Sequence, residues 1–213
     1  VSAGNISRPA AGRRLPRAAR EAQMLAVAAE IVAAEGIHAT SMDDVAAACG
    51  VTKPMIYSYF GSKQGLIAAL VERTGTIMMA GLMAMAHVPD PAERFRRTVT
   101  LLVGQLYEQK ANWQVILAAM RGEGPATDQA RGYRAALIQI TTITLAGLAP
   151  PGVAEVIARR VVSPYAYAIM GAAESGSEWW LRTPGVTREE ATATALKVVD
   201  AIIDLSRRDL AAV

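Results

Sequence analysis

The chain holds one cysteine, two histidines and two phenylalanines among its 213 residues, and each shortage removes a class of explanation. A single thiol, Cys49, cannot close an intrachain disulfide. Its place in an apolar helical pattern marks it as buried, whereas a redox sensor needs an exposed thiolate of low pKa. His38 and His87 with one cysteine are too few for a metal cluster, so neither a metal site nor a cofactor is expected. The sequence has no H-E-x-x-H, no phosphate-binding glycine loop and no G-x-S-x-G elbow, which sets enzymatic chemistry aside. No stretch alternates as a strand does. The most apolar run, Ile77 to Val88, is 12 residues long and includes His87, short of the roughly 20 that a membrane span needs. The arginine-rich start followed by Met24-Leu25-Ala26-Val27-Ala28-Ala29 has the look of an export signal. Glu30 and Glu35 break that apolar pattern, so a cytoplasmic protein with no membrane attachment is expected.

What is present is a helix-forming chain with an uneven distribution of charge. Hydrophobic residues make up 52% and charged residues 19%, the balance of a globular protein, and abundant alanine suits closely packed helices. The net charge is +3, yet the first 20 residues carry five arginines (Arg8, Arg13, Arg14, Arg17, Arg20) and no acid, which leaves −2 for the rest. Residues 1–16, rich in Gly, Pro, Ser and Arg with no apolar period, are expected to form a disordered basic arm. Such an arm is either a solvated tail or a strap along DNA phosphates or into the minor groove.

Next to that positive charge stands Thr40 to Lys63, TSMDDVAAACGVTKPMIYSYFGSK, which contains two short helical patterns separated by Gly50. The first opens at Thr40 or Ser41, a hydroxyl that can accept from an unpaired amide, with Asp43 and Asp44 in its electropositive first turn. Its expected buried face is Val45, Ala48 and Cys49. Gly50 falls where the chain must leave the helix, a position that often needs positive φ. Thr52 is placed to cap the second helix, with Pro54 in its first turn, where a missing N–H costs nothing. Ile56 and Phe60 lie four apart and can face a core, while Lys53, Met55, Tyr57 and Tyr59 remain on other faces. A helix that reads DNA needs side chains of that kind: N-terminal ones for base edges, tyrosines and lysines for phosphates.

These residues carry a family resemblance. The run through Ala28, Glu35-Gly36, Thr40-Ser41, Val45-Ala46, Cys49-Gly50-Val51-Thr52, Ile56-Tyr57-Ser58-Tyr59-Phe60, Ser62-Lys63 and Leu66 resembles the DNA-binding domain of the TetR family of bacterial transcriptional regulators, over roughly residues 17–70. Two positions depart from that family's pattern: Asp43, where a basic or neutral residue is common, and Gly65, where a helix former is usual and a glycine is expected to loosen the following helix. Helix position and resemblance together assign Ser41, Thr52, Tyr57, Tyr59 and Lys63 to phosphates. Lys53, Pro54 and Met55 are assigned to base edges, with Lys53 donating to guanine O6 or N7 and Met55 touching a thymine methyl.

Apolar periodicity and breakers extend the reading to an all-α chain of about nine helices, divided into a basic arm (1–16), a helix-turn-helix domain (17–66) and a helical effector-binding and dimerisation domain (67–213). The first helix spans Arg17 to Glu35, and a fourth, from Lys63 to about Met85, links the two domains and is apolar nearly all round in its second half. Pro89-Asp90-Pro91, Gly122-Glu123-Gly124-Pro125, Pro150-Pro151-Gly152 and Thr183-Pro184-Gly185 separate the rest, Pro164 is expected to kink the eighth helix, and Thr187 with Glu190 forms a capping box before the ninth. Small residues from Gly171 to Ser177 and an apolar face of Ala195, Val198, Val199, Ile202 and Leu205 suit either ordinary core or, as the resemblance implies, a homodimer through the last two helices on a palindromic operator. The resemblance also implies a small-molecule effector, for which Met79, Met83, Trp113, Leu117, Met120, Tyr165 and Met170 are the candidate lining, suited to an apolar or aromatic ligand. The function expected is that of a repressor released from its operator by such a ligand. An activator, or a helical interaction protein that no longer reads DNA, stays open beside it.

Overall fold

The computed structural model describes residues 16–213, so the expected basic arm lies outside the described residues except for Pro16. Among the described residues there are nine helices and no strand: α1 (Arg17–Glu35), α2 (Met42–Ala48), α3 (Lys53–Phe60), α4 (Lys63–Met85), α5 (Pro91–Glu108), α6 (Lys110–Ala119), α7 (Pro125–Ala146), α8 (Glu155–Arg182) and α9 (Arg188–Leu210). Most boundaries follow from local chemistry. Ser41 accepts from the Asp44 amide, Ser62 from Gly65, and Asp90 from both Ala92 and Glu93, each satisfying orphan donors of a first turn. The Thr187–Glu190 capping box is complete. Gly50 adopts φ 64°, the left-handed conformation that lets the chain turn between α2 and α3. Pro164 lies inside α8, which remains helical on both sides of it.

Two local expectations change. Ala48 is exposed, and the buried face of α2 is Met42, Val45 and Ala46, with Cys49 beneath the turn. Gly65 also gains a different reason: α4 is helical from Lys63 through this position, and a Cβ there would collide with the Phe60 carbonyl. The absence of a side chain is what lets α3 hand over to α4 in so short a turn.

Two larger cores organise the bundle. The first takes Met24, Leu25, Ala28 and Val32 of α1, Val45 of α2, Ile56 of α3 and Leu66, Ile67, Leu70 and Val71 of α4, and continues without a break into Ala111, Val115, Ile116 and Ala119 of α6 and Ala130 of α7. The second joins Phe95 of α5 and Leu145 of α7 to Ala158 and Val162 of α8 and Val199, Ile203 and Leu210 of α9. The expected boundary at 66/67 therefore falls between two side chains of one core. α4 is long and apolar enough to cross a bilayer by length and composition alone. It instead buries Leu66, Leu70, Thr74, Gly75, Met78 and Leu82 in the protein, while Met83 is 64% exposed, so its second half is not enclosed on all sides.

Candidate nucleic-acid interface

α3 is eight residues long, too short to persist in water by itself, and one fully buried side chain, Ile56, fixes it to the first core. Phe60 and Tyr59 pack at its C-terminal end, half-buried. Everything at its N-terminal end faces outward: Thr52, Lys53 and Pro54 are exposed, Met55 is 37% and Tyr57 40% exposed. Thr52 occupies the cap position but its hydroxyl makes no capping hydrogen bond, so it is not consumed by the helix end.

The other residues expected at DNA are already engaged inside the chain. Ser41 accepts from the Asp44 amide at 3.1 Å and donates to the Asp44 carboxylate. Lys63 donates from Nζ to the His38 carbonyl at 2.8 Å, tying the start of α4 to the loop after α1. The Arg17 guanidinium lies 5.0 Å from the Tyr59 ring centroid, a cation–π contact that brings an α1 charge beside α3. Lys53 donates to the Asp43 carboxylate at 2.9 Å and lies 6.0 Å from the Tyr57 ring. The hydrogen bond to Asp43, and then that carboxylate's charge, hold the lysine's pKa above its ordinary value. The sequence placed all eight expected contact residues on α3 or at the starts of α2 and α4. It did not show Arg17 over Tyr59 or the Asp43–Lys53 pair, which depend on how α1 and α2 sit against α3. Cys49 is buried, and burial pushes its thiol pKa up, only partly opposed by Arg20.

A cleft of about 640 Å³ opens between α6, α7 and α8. Leu117, Met120, Ala135, Ile138 and Tyr167 supply apolar surface, and Arg121, Arg131, Arg134, Glu174 and Glu178 supply charge. Arg134 pairs with Glu174, and Glu178 is held by both Arg121 and Arg182. The hydrogen bond from Arg121 keeps the Glu178 carboxyl below the usual carboxylate range. The seven side chains expected to line a pocket do not surround one cavity. Leu117 and Met120 line the cleft, and Met170 is buried behind it with Ile138 and Ala166. Trp113 packs on the first core, Tyr165 packs on the second and donates to Asp209, and Met79 and Met83 lie along α4. Arg131 and Arg134 recur at helical spacing on α7, so a basic face was visible in the sequence. That it turns toward α8 was not.

A short helix presenting a basic and tyrosine-bearing face, held by a capped helix before it and backed by a helical bundle, defines a helix-turn-helix DNA-binding protein. Residues 24–70 match the family described as "Bacterial regulatory proteins, tetR family". The chain is 31% identical over 147 residues to the HTH-type transcriptional repressor Rv3405c of Mycobacterium tuberculosis, covering 62% of this chain and 74% of that one. It is 37% identical over 89 residues to the HTH-type transcriptional activator FasR of Mycolicibacterium smegmatis, a match spanning 41% of each chain. The fold is similar to that of a TetR-like transcriptional regulator from Rhodococcus sp. RHA1, with TM-score 0.72 and 28% identity over 93% of this chain and 99% of that one. The chain belongs to the TetR family and is a DNA-binding transcriptional regulator.

Proposed function

We propose that the protein is a cytoplasmic, dimeric repressor that occupies a palindromic operator through α3 and leaves it when a small molecule enters the α6–α8 cleft. The observation that carries DNA reading is the division of α3 into one buried anchor, Ile56, and an exposed N-terminal face of Thr52, Lys53, Pro54, Met55 and Tyr57. Lys53, Pro54 and Met55 then meet base edges, and Ser41, Thr52, Tyr57, Tyr59 and Lys63 meet phosphates. Selection of binding sequences from a pool of random duplexes, at two salt concentrations, tests this. A palindrome supports the dimeric reader and provides the half-site spacing. Steep salt dependence with no enriched sequence would leave only non-specific attraction.

The functional division expected from the sequence, 17–66 for DNA and 67–213 for effector and dimer, is kept as part of this reading. Two features support release by a ligand. α6 buries Val115, Ile116 and Ala119 in the core that holds α1 to α3, while Leu117 of the same helix and Met120 at its C-terminal cap line the cleft. A ligand that favours one position of α6 is thereby coupled to the setting of the DNA-reading helices. The cleft wall carries Arg121, Arg131 and Arg134 against Glu174 and Glu178, and Arg131 is in no ion pair among the described residues, which suits an effector with an acidic group and an apolar body better than a purely apolar or aromatic one. For the dimer, α8 leaves Ile157, Tyr167 and Trp179 exposed and α9 leaves Val198 and Leu205 exposed, while Val199 and Ile203 face inward. One observation favours activation as the second reading: the relative FasR is named an activator.

Two substitutions separate the assigned roles. Lys53→Ala is expected to relax base preference at particular operator positions, by about 1–2 kcal/mol. A uniform loss across sequences in a competition assay would move Lys53 to the phosphates. Tyr57→Phe is expected to weaken all duplexes alike by about 1 kcal/mol through loss of one hydrogen bond. A changed sequence preference at equal overall affinity would contradict the phosphate role.

A further inference from the structure

Residues 41–63, the α2–α3 unit with its flanking caps, carry Asp43 and Asp44 against Lys53 and Lys63 and are electrically neutral as a block. The two carboxylates have different tasks. Asp44 receives the Ser41 hydroxyl at the helix cap. The only side-chain hydrogen bond of Asp43 among the described residues is the one from Lys53, 10 positions along the chain and across the turn. Both partners are open to solvent, at 59% exposure for Lys53 and 60% for Asp43. Of the cations that the described residues bring to this face, Arg17 rests on an aromatic ring and Lys63 on a neutral carbonyl, while Lys53 is held by a carboxylate.

We propose that Asp43 is a specificity-determining residue of this DNA reader: it holds the Lys53 ammonium so that a neutral base acceptor can share it and an arbitrary phosphate cannot. The inference rests on the reading of α3 given above. An ammonium has three N–H donors, and Asp43 takes one. A guanine O6 or N7 is uncharged and can accept another while the ion pair stays closed. A phosphate oxygen brought to the same ammonium is repelled by the Asp43 carboxylate and must break the pair to bind fully. The penalty therefore falls on non-specific association, which is carried by lysine and arginine contacts to phosphates. The Tyr57 ring, its centroid 6.0 Å from the same ammonium, narrows the directions it can sweep.

Asp43→Asn keeps the shape and removes the charge, and the Ser41–Asp44 cap remains to hold α2, so the variant is expected to fold and to unfold no more than a few degrees below the parent, the effect of one first-turn charge. The measurement is equilibrium binding of the full chain to the selected operator and to a scrambled duplex of equal length, over a salt series. Asp43→Asn is expected to tighten binding to the scrambled duplex by about 5-fold and to steepen its log–log salt slope by about one. Operator binding should move by less than about twofold, so discrimination falls. In a Lys53→Ala background the gain from Asp43→Asn should vanish. Equal tightening of both duplexes, no tightening of the scrambled one, or a gain that survives intact beside Lys53→Ala would each overturn the proposal while leaving α3 as the reader. Lys53→Ala with unchanged binding to every duplex would instead remove the reading of Lys53, and this proposal with it.

Discussion

Ile56→Ala is expected to lower folding stability by about 2–5 kcal/mol, the cost of emptying a fully buried aliphatic site, and to weaken operator binding by more than that loss of folded protein explains. Ile56 is the one residue of α3 at 0% exposure, and it belongs to the core that also holds Leu25, Val32, Val45 and Leu66. An eight-residue helix has little helicity of its own, so what fixes its axis is that side chain together with Phe60. With the anchor shortened, the N-terminal face of α3 loses the setting that lets several side chains reach DNA at once. Met55→Ala, one position away on the outer face, is the control and should change stability by no more than about 0.5 kcal/mol. Denaturant titration of both variants, with operator binding measured well below the transition, checks the argument. Equal destabilisation by the two would mean that α3 is held chiefly by Tyr59 and Phe60.

Gly75→Ala is expected to destabilise by about 3 kcal/mol, the upper part of the range for overpacking, against the usual gain when alanine replaces a helix-interior glycine. A Cβ at Gly75 would meet three carbons of the Tyr133 ring, so α4 and α7 approach each other here only because one of them has no side chain. An aromatic ring cannot yield by rotating a terminal bond, and relief requires the helices to part. The double variant Gly75→Ala/Tyr133→Ala should therefore cost clearly less than the sum of the two single changes. Additive costs would show that the ring moves aside freely. Gly75 lies on α4 between the core that holds the reading helices and the part of α7 that lines the cleft. Prying these helices apart should accordingly alter operator affinity as well, which the same binding assay would register.

The contrast between Gly65 and Gly75 shows where reading by pattern stops. Both are glycines inside a helix, where the residue alone signals lower helicity. At Gly65 the reason for glycine is the Phe60 carbonyl five residues back, and at Gly75 it is the Tyr133 ring on another helix. Neither neighbour leaves a trace in local periodicity. The same limit applied to the effector candidates. Leu117 and Met120 do line the cleft, as their apolar character suggests, but nothing in the sequence singles out Arg121, Arg134, Glu174 and Glu178 beside them, since charged side chains ordinarily face water.

What the sequence determined by itself was local: helices ended at Gly36, Gly50 and the proline-bearing turns, capped by Ser41, Ser62 and Thr187, with Leu25, Val32, Val45 and Ile56 turned inward. Those features are set by hydrogen bonds and apolar spacing within a few residues, so a linear reading reaches them. The tertiary structure alone decided that α6 shares a core with the reading helices, that α7 and α8 face each other with paired charges, and that Asp43 holds Lys53. Each of these depends on which helix faces which at what rotation, and that is settled by the packing of all the buried side chains at once.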